Sequence, residues 1–298
     1  MKKAILSVTI ALTSLFGNSQ VFQFEPNSKQ FQTLSSHSLT VVETGNEEFD
    51  VALHKAFDAH WQVTKLEYVS YDDFKKNVSD VSKSFFIPMN ITLTFSTTRT
   101  RSGVNSTTSY DKIKFWYGII NGGKKTWESY SDNDVIILSP LGLYTGEEDI
   151  NASIYRLDYV AKAMNDAVQG GIDKTVNGKY LKSTENINKG FVAIAKTKTL
   201  VINKDAHSIA LGKDRGQTTE TKAFEKYPYK YKFVSDEEFK EIMAGDSEEY
   251  ICLVPIIEVN KHILVYEPST KNTVYYGWQM QGLEVKAKDV NSMSLGEN

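Results

Sequence analysis

Three residues at helical spacing form the best candidate for a metal site in this sequence. Asp50, His54 and Asp58 recur every four residues, so a helix would place them along one face. Zinc accepts carboxylate and imidazole ligands. Two carboxylates and one His are a weak set, however, and His–carboxylate pairs at this spacing are typical of a solvated helix face. We favour the solvated face and assign no metal ligand to the chain.

A second segment partly matches the phosphate-binding P-loop. Gly118 to Lys124 fits the first seven positions of the motif G-x-x-x-x-G-K. A P-loop continues with Ser or Thr, which holds magnesium, and with a helix whose backbone N–H groups bind phosphate. Here Lys125 follows, and residues 126–130 have the composition of a strand. The segment therefore predicts a β-hairpin that turns at residues 121–125, and we assign no cofactor and no cofactor-binding residue.

The sequence contains no arrangement typical of nucleophilic catalysis. No Ser lies in a Gly-x-Ser-x-Gly elbow. The only cysteine, Cys252, lies in the apolar strand pattern 250–254, where a thiol is usually a small buried hydrophobe. Acidic pairs at 72–73 and 237–238 occupy equivalent places in two repeated segments, which favours helix N-terminal charge over a catalytic dyad. We assign no catalytic residue.

Four basic residues lie close together in a segment rich in Ser and Thr. Arg99 and Arg101 precede Gly103, and Lys112 and Lys114 follow it. The polar composition of residues 97–109, with a glycine among them, predicts a mobile loop. We expect this basic stretch to be a solvated loop rather than a phosphate site. Before it, Pro88 lies inside the predicted strand 85–95, which argues for a sheet edge or a bulge.

Composition and charge indicate a soluble globular protein with room for two ordinary domains. The chain has 298 residues, of which 41% are hydrophobic and 24% charged, and its formal net charge is -3. This mildly acidic balance provides no electrostatic footprint for nucleic acid or anionic lipid. A single cysteine excludes an intramolecular disulfide.

The N-terminus predicts export from the cytoplasm. Lys2-Lys3 precedes a mostly apolar run from Ala4 to Phe16, and the small residues of Gly17-Asn18-Ser19 predict cleavage before Gln20. The run is shorter than the roughly 20 residues that span a bilayer, and no later segment is long and apolar enough to do so. We expect residues 1–19 to be a signal peptide and the mature protein to lie in the periplasm.

A pattern that occurs twice organises the rest of the chain. Its first copy runs from Lys55-Ala56-Phe57 to Phe86-Ile87-Pro88, and its second runs from Lys222-Ala223-Phe224 to Leu253-Val254-Pro255. Equivalent residues are 167 positions apart at both ends of the pattern. Small changes of length inside the pattern are of the kind that loops absorb. The repeat predicts two domains of related architecture.

Each copy predicts a strand, helix, strand, helix and strand, followed by a β-hairpin. Strands joined by a helix imply a partly parallel sheet with right-handed crossovers, and the hairpin adds antiparallel strands. The predicted fold class is α+β, close to α/β, with two tandem related domains that each contain a mixed sheet and two or three helices. We place the N-terminal domain at residues 20–177 and the C-terminal domain, the internal repeat of the first, at residues 178–298.

Four further segments lie between or beside these elements. Residues 21–38 are polar and predict an extended lead-in, and residues 173–189 predict a polar connection between the domains. Residues 191–195 predict a strand. The tail after Gly282 predicts one more short strand and a polar end.

The second copy resembles a class of exported, functionally uncharacterised proteins of Bacteroidota. The resemblance rests on Tyr227-Pro228-Tyr229-Lys230-Tyr231-Lys232-Phe233-Val234-Ser235, on the strand and hairpin pattern from Tyr250 to Trp278, and on the signal peptide that ends before Gln20. It covers the second copy well and the first loosely. The element order of each half is also similar to the N-terminal domain of TolB and the periplasmic domain of CsgG, which serve in envelope assemblies. The resemblance brings no catalytic residues.

The leading hypothesis is a non-enzymatic periplasmic protein that acts by protein–protein binding. We expect it to be a component or partner of an envelope or outer-membrane complex, with protein partners, peripheral association and no transmembrane segment. Edge strands such as 85–95 would accept a partner strand by β-augmentation. The alternatives are a hydrolase and a small-molecule or peptide-binding protein, each with its site between the two domains.

Overall fold

The computed structural model describes most of the chain after residue 27. The described residues are 7–9, 28–101, 104–130, 134–140, 150–172, 180–204, 223–257, 260–280 and 285–296. The predicted cleavage site before Gln20 lies outside these residues, as does the segment 173–179 that contains the predicted domain boundary. Both therefore stay predictions.

The first half of the chain forms one mixed sheet with helices on both faces. Its elements in chain order are β1 (Ser7–Thr9), α1 (Ser28–Ser35), β2 (Ser38–Val42), α2 (Glu47–His60), β3 (Leu66–Val69), α3 (Tyr71–Asn77), β4 (Lys83–Arg101), β5 (Val104–Asn121), β6 (Val135–Pro140) and α4 (Leu157–Ile172). The sheet order is β3-β2-β4-β5-β6. β2 is parallel to β3 and β4, whereas β5 is antiparallel to β4 and β6. β1 pairs with β4 in parallel at Asn90–Thr92.

The second half repeats this plan. Its elements are α5 (Tyr180–Thr197), β7 (Thr199–Asn203), β8 (Tyr231–Val234), α6 (Asp236–Ala244), β9 (Tyr250–Ile257), β10 (Asn260–Glu267), β11 (Asn272–Met280) and α7 (Ala287–Leu295). The sheet order is β8-β7-β9-β10-β11, with the same parallel and antiparallel pairs as in the first sheet. The predicted α+β fold class with two related mixed-sheet domains is confirmed. Within the described residues, no helix combines the length and apolar character needed to cross a membrane.

Local capping signals explain where three helices begin. The Asn46 side chain accepts a hydrogen bond from the backbone N–H of Phe49 at the start of α2. Ser70 caps α3, and Ser235 caps α6 in the same way. Each cap satisfies a backbone donor that has no partner inside its helix. The sequence predicts all three helix starts.

Three clusters of buried side chains fill the layers of the molecule. The outer face of the first sheet packs on α3 and on a 3-10 turn at Trp127–Ser129. The outer face of the second sheet packs on α5, α7 and the helical residues Ala223 and Phe224. The inner faces of both sheets contribute to one central cluster, together with α2, α4 and α6. Each sheet is therefore covered on its outer face by its own outer cluster and on its inner face by the central cluster.

The central cluster joins the two halves through α4. Tyr159 of α4 donates a hydrogen bond from its hydroxyl to the carbonyl oxygen of Met243 at 2.8 Å. Its ring lies 4.5 Å from that of Tyr266 in the second sheet. Arg156, just before α4, is buried and lies beside the Tyr266 hydroxyl, where it partly opposes the rise in the pKa of Tyr266 that burial causes. The described residues between the sheets therefore form a packed core.

The two copies pack head to tail. In the first copy, the central cluster covers the side of the sheet that bears α2, where Phe57 contacts Phe86 with ring centres 4.4 Å apart. In the second copy, it covers the side that bears α6, the equivalent of α3. Phe224 is the repeat partner of Phe57, and it packs in the outer cluster instead. Two different faces of the same repeated unit therefore meet inside the chain.

Several sequence expectations are wrong because the helices concerned are short or largely polar and carry a weak signal. Residues 28–35 form α1 rather than an extended lead-in, and residues 191–195 belong to α5 rather than to a strand. α5 also begins inside the predicted polar connection 173–189, and the tail forms α7 instead of a strand. Each of these helices places only a few side chains in a core, such as Phe31 and Leu34 in α1. Tertiary packing thus decides their conformation.

Candidate functional site

The most distinctive element of the fold is a long two-stranded ribbon formed by β4 and β5. The two strands pair without a register shift from Ser84↔Asn121 to Arg101↔Val104. β2 pairs with β4 only up to Phe86, and β6 pairs with β5 only from Trp116 onward. Beyond these residues β4 and β5 continue to pair with each other, with β1 beside β4 at Asn90–Thr92. We name the part comprising Ile91–Arg101 and Val104–Lys114 the ribbon. At roughly 3.3 Å per residue, the ribbon is about 35 Å long.

Proline marks the point where the sheet edge opens in both copies. Pro88 follows two residues after Phe86, the last β4 residue that pairs with β2. Pro255 follows two residues after Leu253, the last β9 residue that pairs with β7. A proline has no N–H to donate, so it is tolerated in a strand where a neighbouring strand does not need that donor. At Pro88 itself β4 pairs only with β5, but the expectation that residues 85–95 form an edge strand is wrong. β4 lies between β2 and β5 at Phe85 and Phe86, and between β1 and β5 at Asn90–Thr92.

The ribbon is present in one copy only. In the second copy, β9 ends at Ile257 and β10 begins at Asn260, directly after the equivalent proline. The core of the repeated unit is therefore complete with a short hairpin at this place. A ribbon that the unit does not need for its core is a candidate for function.

Strand alternation divides the residues of the ribbon between two different faces. All four basic residues occupy positions of one face, which also holds the apolar and aromatic positions: Arg99, Arg101, Lys112 and Lys114, with Ile91, Leu93, Phe95, Val104 and Tyr110. We name this the basic face. The opposite face holds mostly Thr, Ser and Asn, with Asp111 and Ile113 near the base. The ribbon therefore has one cationic face and one hydroxyl-rich face.

The base of the ribbon is fixed in the central cluster. Tyr117 of β5 is fully buried and stacks on Phe86 of β4, with ring centres 4.5 Å apart. Phe49 of α2 lies parallel to the same tyrosine ring at 6.2 Å. Burial, with a smaller contribution from the Asp50 carboxylate, raises the pKa of Tyr117 well above its ordinary value. A rigid, neutral aromatic stack thus sets the direction in which the ribbon leaves the sheet.

The sequence expectation of a loop at residues 97–109 is wrong. All described residues of this segment belong to β4 or β5. Thr and other β-branched residues favour extended backbone, but residues 97–109 are mostly Ser, Thr and other polar residues and lack the apolar alternation from which strands are usually predicted. The four basic residues therefore lie on paired strands rather than in a solvated loop.

The helix face with Asp50, His54 and Asp58 does not bring its three groups together. The Asp50 carboxylate accepts hydrogen bonds from the turn that precedes α2. The His54 Nε2 atom lies 3.1 Å from a Glu43 carboxylate oxygen, and the Tyr68 hydroxyl donates to Asp58 at 2.6 Å. Among the described residues, no group of three or more His, Cys, Asp or Glu side chains is placed to hold a metal ion.

The segment from Gly118 to Lys124 has a structural role. The backbone N–H of Gly122 donates to the carbonyl oxygen of Lys83 at 2.8 Å, and the Lys124 ammonium group binds the Asp134 carboxylate at 2.6 Å. The following residues 126–130 contain the 3-10 turn and are not the predicted strand, because Trp127 packs its ring against Phe74. No helix begins at Lys124, as a P-loop would require.

Two further sequence interpretations agree with the structure. Cys252 is buried in β9, and burial raises the pKa of its thiol to about 12, so the thiol is protonated at neutral pH. The acidic pairs at 72–73 and 237–238 lie in the first turns of α3 and α6. They stabilise the positive ends of these helix dipoles.

Comparison with known proteins adds no assignment. No protein-family model matches the chain, and neither a curated protein nor a solved structure matches it significantly. The resemblance to exported Bacteroidota proteins, to TolB and to CsgG stays a prediction.

Proposed function

We propose that this is an exported, non-enzymatic protein that binds a protein partner in the cell envelope, and that the ribbon is its binding element. The observation that carries the proposal is the ribbon itself, which projects from the sheet in one copy and is absent from the other. Beyond the pairing with β1 at Asn90–Thr92, no strand of the described residues pairs with the outer edges of the ribbon, and these edges offer backbone N–H and C=O groups to a partner strand. The basic face adds charge and aromatic residues by which a partner is selected.

The proposal is tested with a variant that lacks only the ribbon. Asn90 and Phe115 form a cross-strand pair, so replacing Ile91–Lys114 with Asn-Gly should close β4 and β5 by a two-residue hairpin. The second copy already has a short hairpin at the equivalent place, and we expect the variant to keep the thermal midpoint within a few degrees.

Both proteins are then recovered from the native envelope in mild detergent, and co-purifying proteins are identified and their stoichiometry is measured by native mass spectrometry. We expect the wild-type protein to recover a stoichiometric envelope partner and the ribbonless variant to lose it. Equal recovery by both proteins would place the binding element elsewhere. A wild-type protein recovered from its envelope alone and as a monomer would refute the envelope-partner function.

A further inference from the structure

Two features of the described residues differ in charge between the two copies, and these features have opposite charge. The first copy has the ribbon, with four basic residues and one acidic residue. The second copy has the segment Asp236–Glu249, which contains seven acidic residues and one lysine. The equivalent segment of the first copy, 71–84, has three acidic and three basic residues.

The acidic segment, defined as Asp236–Glu249, comprises α6 and the loop that leads to β9. Its apolar side faces the central cluster through Phe239 and Met243. Glu237 and Glu241 lie one helical turn apart and are exposed, as are Glu248 and Glu249 in the loop. The remaining acidic residues have neighbouring cations: Asp236 with Lys240, Glu238 with Lys232 and Asp246 with Lys271. Six of the seven acidic residues are therefore exposed on the second copy, and four of these six lie outside the ion pairs.

We infer that the basic face of the ribbon binds the acidic segment of a second copy of this chain. The four basic residues of the ribbon occupy positions of one face in the register of β4 with β5, and the acidic segment has four exposed carboxylates outside its ion pairs. The ribbon belongs to the first copy of one molecule and the acidic segment to the second copy of its neighbour, so the contact is heterologous. Such a contact adds molecules in one direction and forms a ring or a filament. This inference deepens the proposed function and rests on it, because it names the partner of the same ribbon.

Charge reversal tests this inference with a mixing experiment. One variant replaces all four basic residues of the basic face with Glu (Arg99→Glu, Arg101→Glu, Lys112→Glu and Lys114→Glu). A second variant replaces four exposed acidic residues of the acidic segment with Lys (Glu237→Lys, Glu241→Lys, Glu248→Lys and Glu249→Lys). Each variant alone has two like-charged surfaces where the wild-type protein has complementary ones. A mixture of the two variants restores opposite charges at both possible contacts. A control variant reverses two exposed lysines of the first copy that lie outside the ribbon, Lys55→Glu with Lys125→Glu.

The oligomeric state of each purified protein and of the mixture is measured by sedimentation velocity at low and high salt. We expect the wild-type and control proteins to associate at low ionic strength, and at least a tenfold weaker association in 0.5 M salt, roughly as screening of exposed charges requires. Each reversed variant alone should remain a monomer, and the mixture should associate again. A monomeric wild-type protein, or a mixture that does not associate, would overturn the inference.

The outcomes also separate this inference from the proposed function. A wild-type protein that is monomeric but loses an envelope partner when the ribbon is removed would refute self-association and leave the proposed binding role in place. A ribbonless variant that still recovers every envelope partner and still associates would refute both. If the ribbonless variant loses the envelope partner but still associates with itself, only the inference of self-association through the ribbon is overturned.

Discussion

The glycines of the 118–124 segment lie at the base of the ribbon, where close backbone packing determines the path of the chain. A β-carbon on Gly122 would lie 2.1 Å from the carbonyl oxygen of Asp80 and 3.0 Å from that of Lys83. Gly123 has φ +120°, which L side chains rarely adopt. The turn that follows β5 therefore lies directly on the loop before β4. Backbone packing therefore explains why this segment contains glycines, which is the feature that it shares with a phosphate-binding motif.

We expect opposite effects from alanine at two glycines. Gly122→Ala should lower the free energy of unfolding by about 1–3 kcal/mol, because its methyl group overlaps backbone atoms that have little freedom to move. Gly190 lies inside α5, and a β-carbon there would meet no atom within 4 Å. Gly190→Ala should raise the free energy of unfolding by about 0.5–1 kcal/mol, since alanine is the better helix former.

The measurement is urea unfolding of both variants followed by circular dichroism. Gly190→Ala serves as the matched control, because it adds the same methyl group where space is open. A Gly122→Ala protein as stable as the wild type would show that the turn moves without cost, contrary to the packing seen around Gly122.

At the scale of elements, a buried amide attaches α5 to the second sheet. The Asn188 side chain donates from Nδ2 to the carbonyl oxygen of Tyr276 at 2.8 Å and accepts from its backbone N–H at 2.9 Å. Tyr276 lies in β11, the edge strand of the sheet. One side chain thus satisfies both backbone groups of an edge-strand residue, as another strand would do.

We expect Asn188→Asp to destabilise the protein in a pH-dependent way. The carboxylate lacks the N–H group that Asn188 donates to Tyr276, and its burial should cost about 2–3 kcal/mol at pH 7. Burial raises the pKa of such a carboxyl group in the folded state above its unfolded value. The folded protein then binds the proton more tightly than the unfolded one, so the loss of stability should shrink as the pH falls towards 5.

Urea unfolding at pH 7 and pH 5 checks this prediction. Asn291→Asp is the control, because Asn291 is exposed on α7 and its carboxyl variant should cost little at either pH. An Asn188→Asp penalty that stays constant or grows at pH 5 would contradict the role assigned to the buried amide.

The elements that sequence could predict are those whose signals are local. α2, α3 and α6 begin at Asn46, Ser70 and Ser235, and these side chains determine the helix start without help from distant residues. The strands β7 and β9 are buried on both faces, so their apolar runs stand out in the sequence. The order of elements in the repeat follows from these strong signals.

The outer part of the ribbon and the helix α5 could not be predicted because they lack such signals. Residues 97–109 are mostly polar and show no apolar alternation, so only the pairing of β4 with β5 identifies them as strands. α5 is polar along much of its length and is positioned by Asn188 and Phe191, whose partners Tyr276 and Tyr275 are more than 80 residues away. Long-range pairing of this kind leaves no local pattern.

At the scale of the whole molecule, the shared central cluster couples the two halves. Tyr159 contacts both Met243 and Tyr266 of the second half, and the cluster includes residues of both sheets. Loss of either half would expose the inner apolar face of the other. The two sheets should therefore unfold as one cooperative unit.

We expect amide hydrogen exchange to report this coupling. The protected amides of β2 and β7 should exchange with the same free energy of opening and the same dependence on denaturant. Tyr159→Ala should separate them, because it removes a buried ring and its hydrogen bond to Met243 at the contact between the halves. Mass spectrometry of peptides from each strand gives the measurement. Unequal opening free energies in the wild-type protein would contradict a common core.

The central cluster is completed only when the second half of the chain has been synthesised. Residues leave the ribosome N-terminal first, so the inner face of the first sheet and α4 emerge before the second sheet that covers them. Tyr159 contacts Tyr266, which is made roughly a hundred residues later, an interval of about 5–20 s at ~5–20 residues per second. During that interval, the nascent chain displays an apolar face that the finished molecule conceals. A chaperone that binds apolar surfaces can therefore bind this face of the first sheet until the second sheet has been made and covers it.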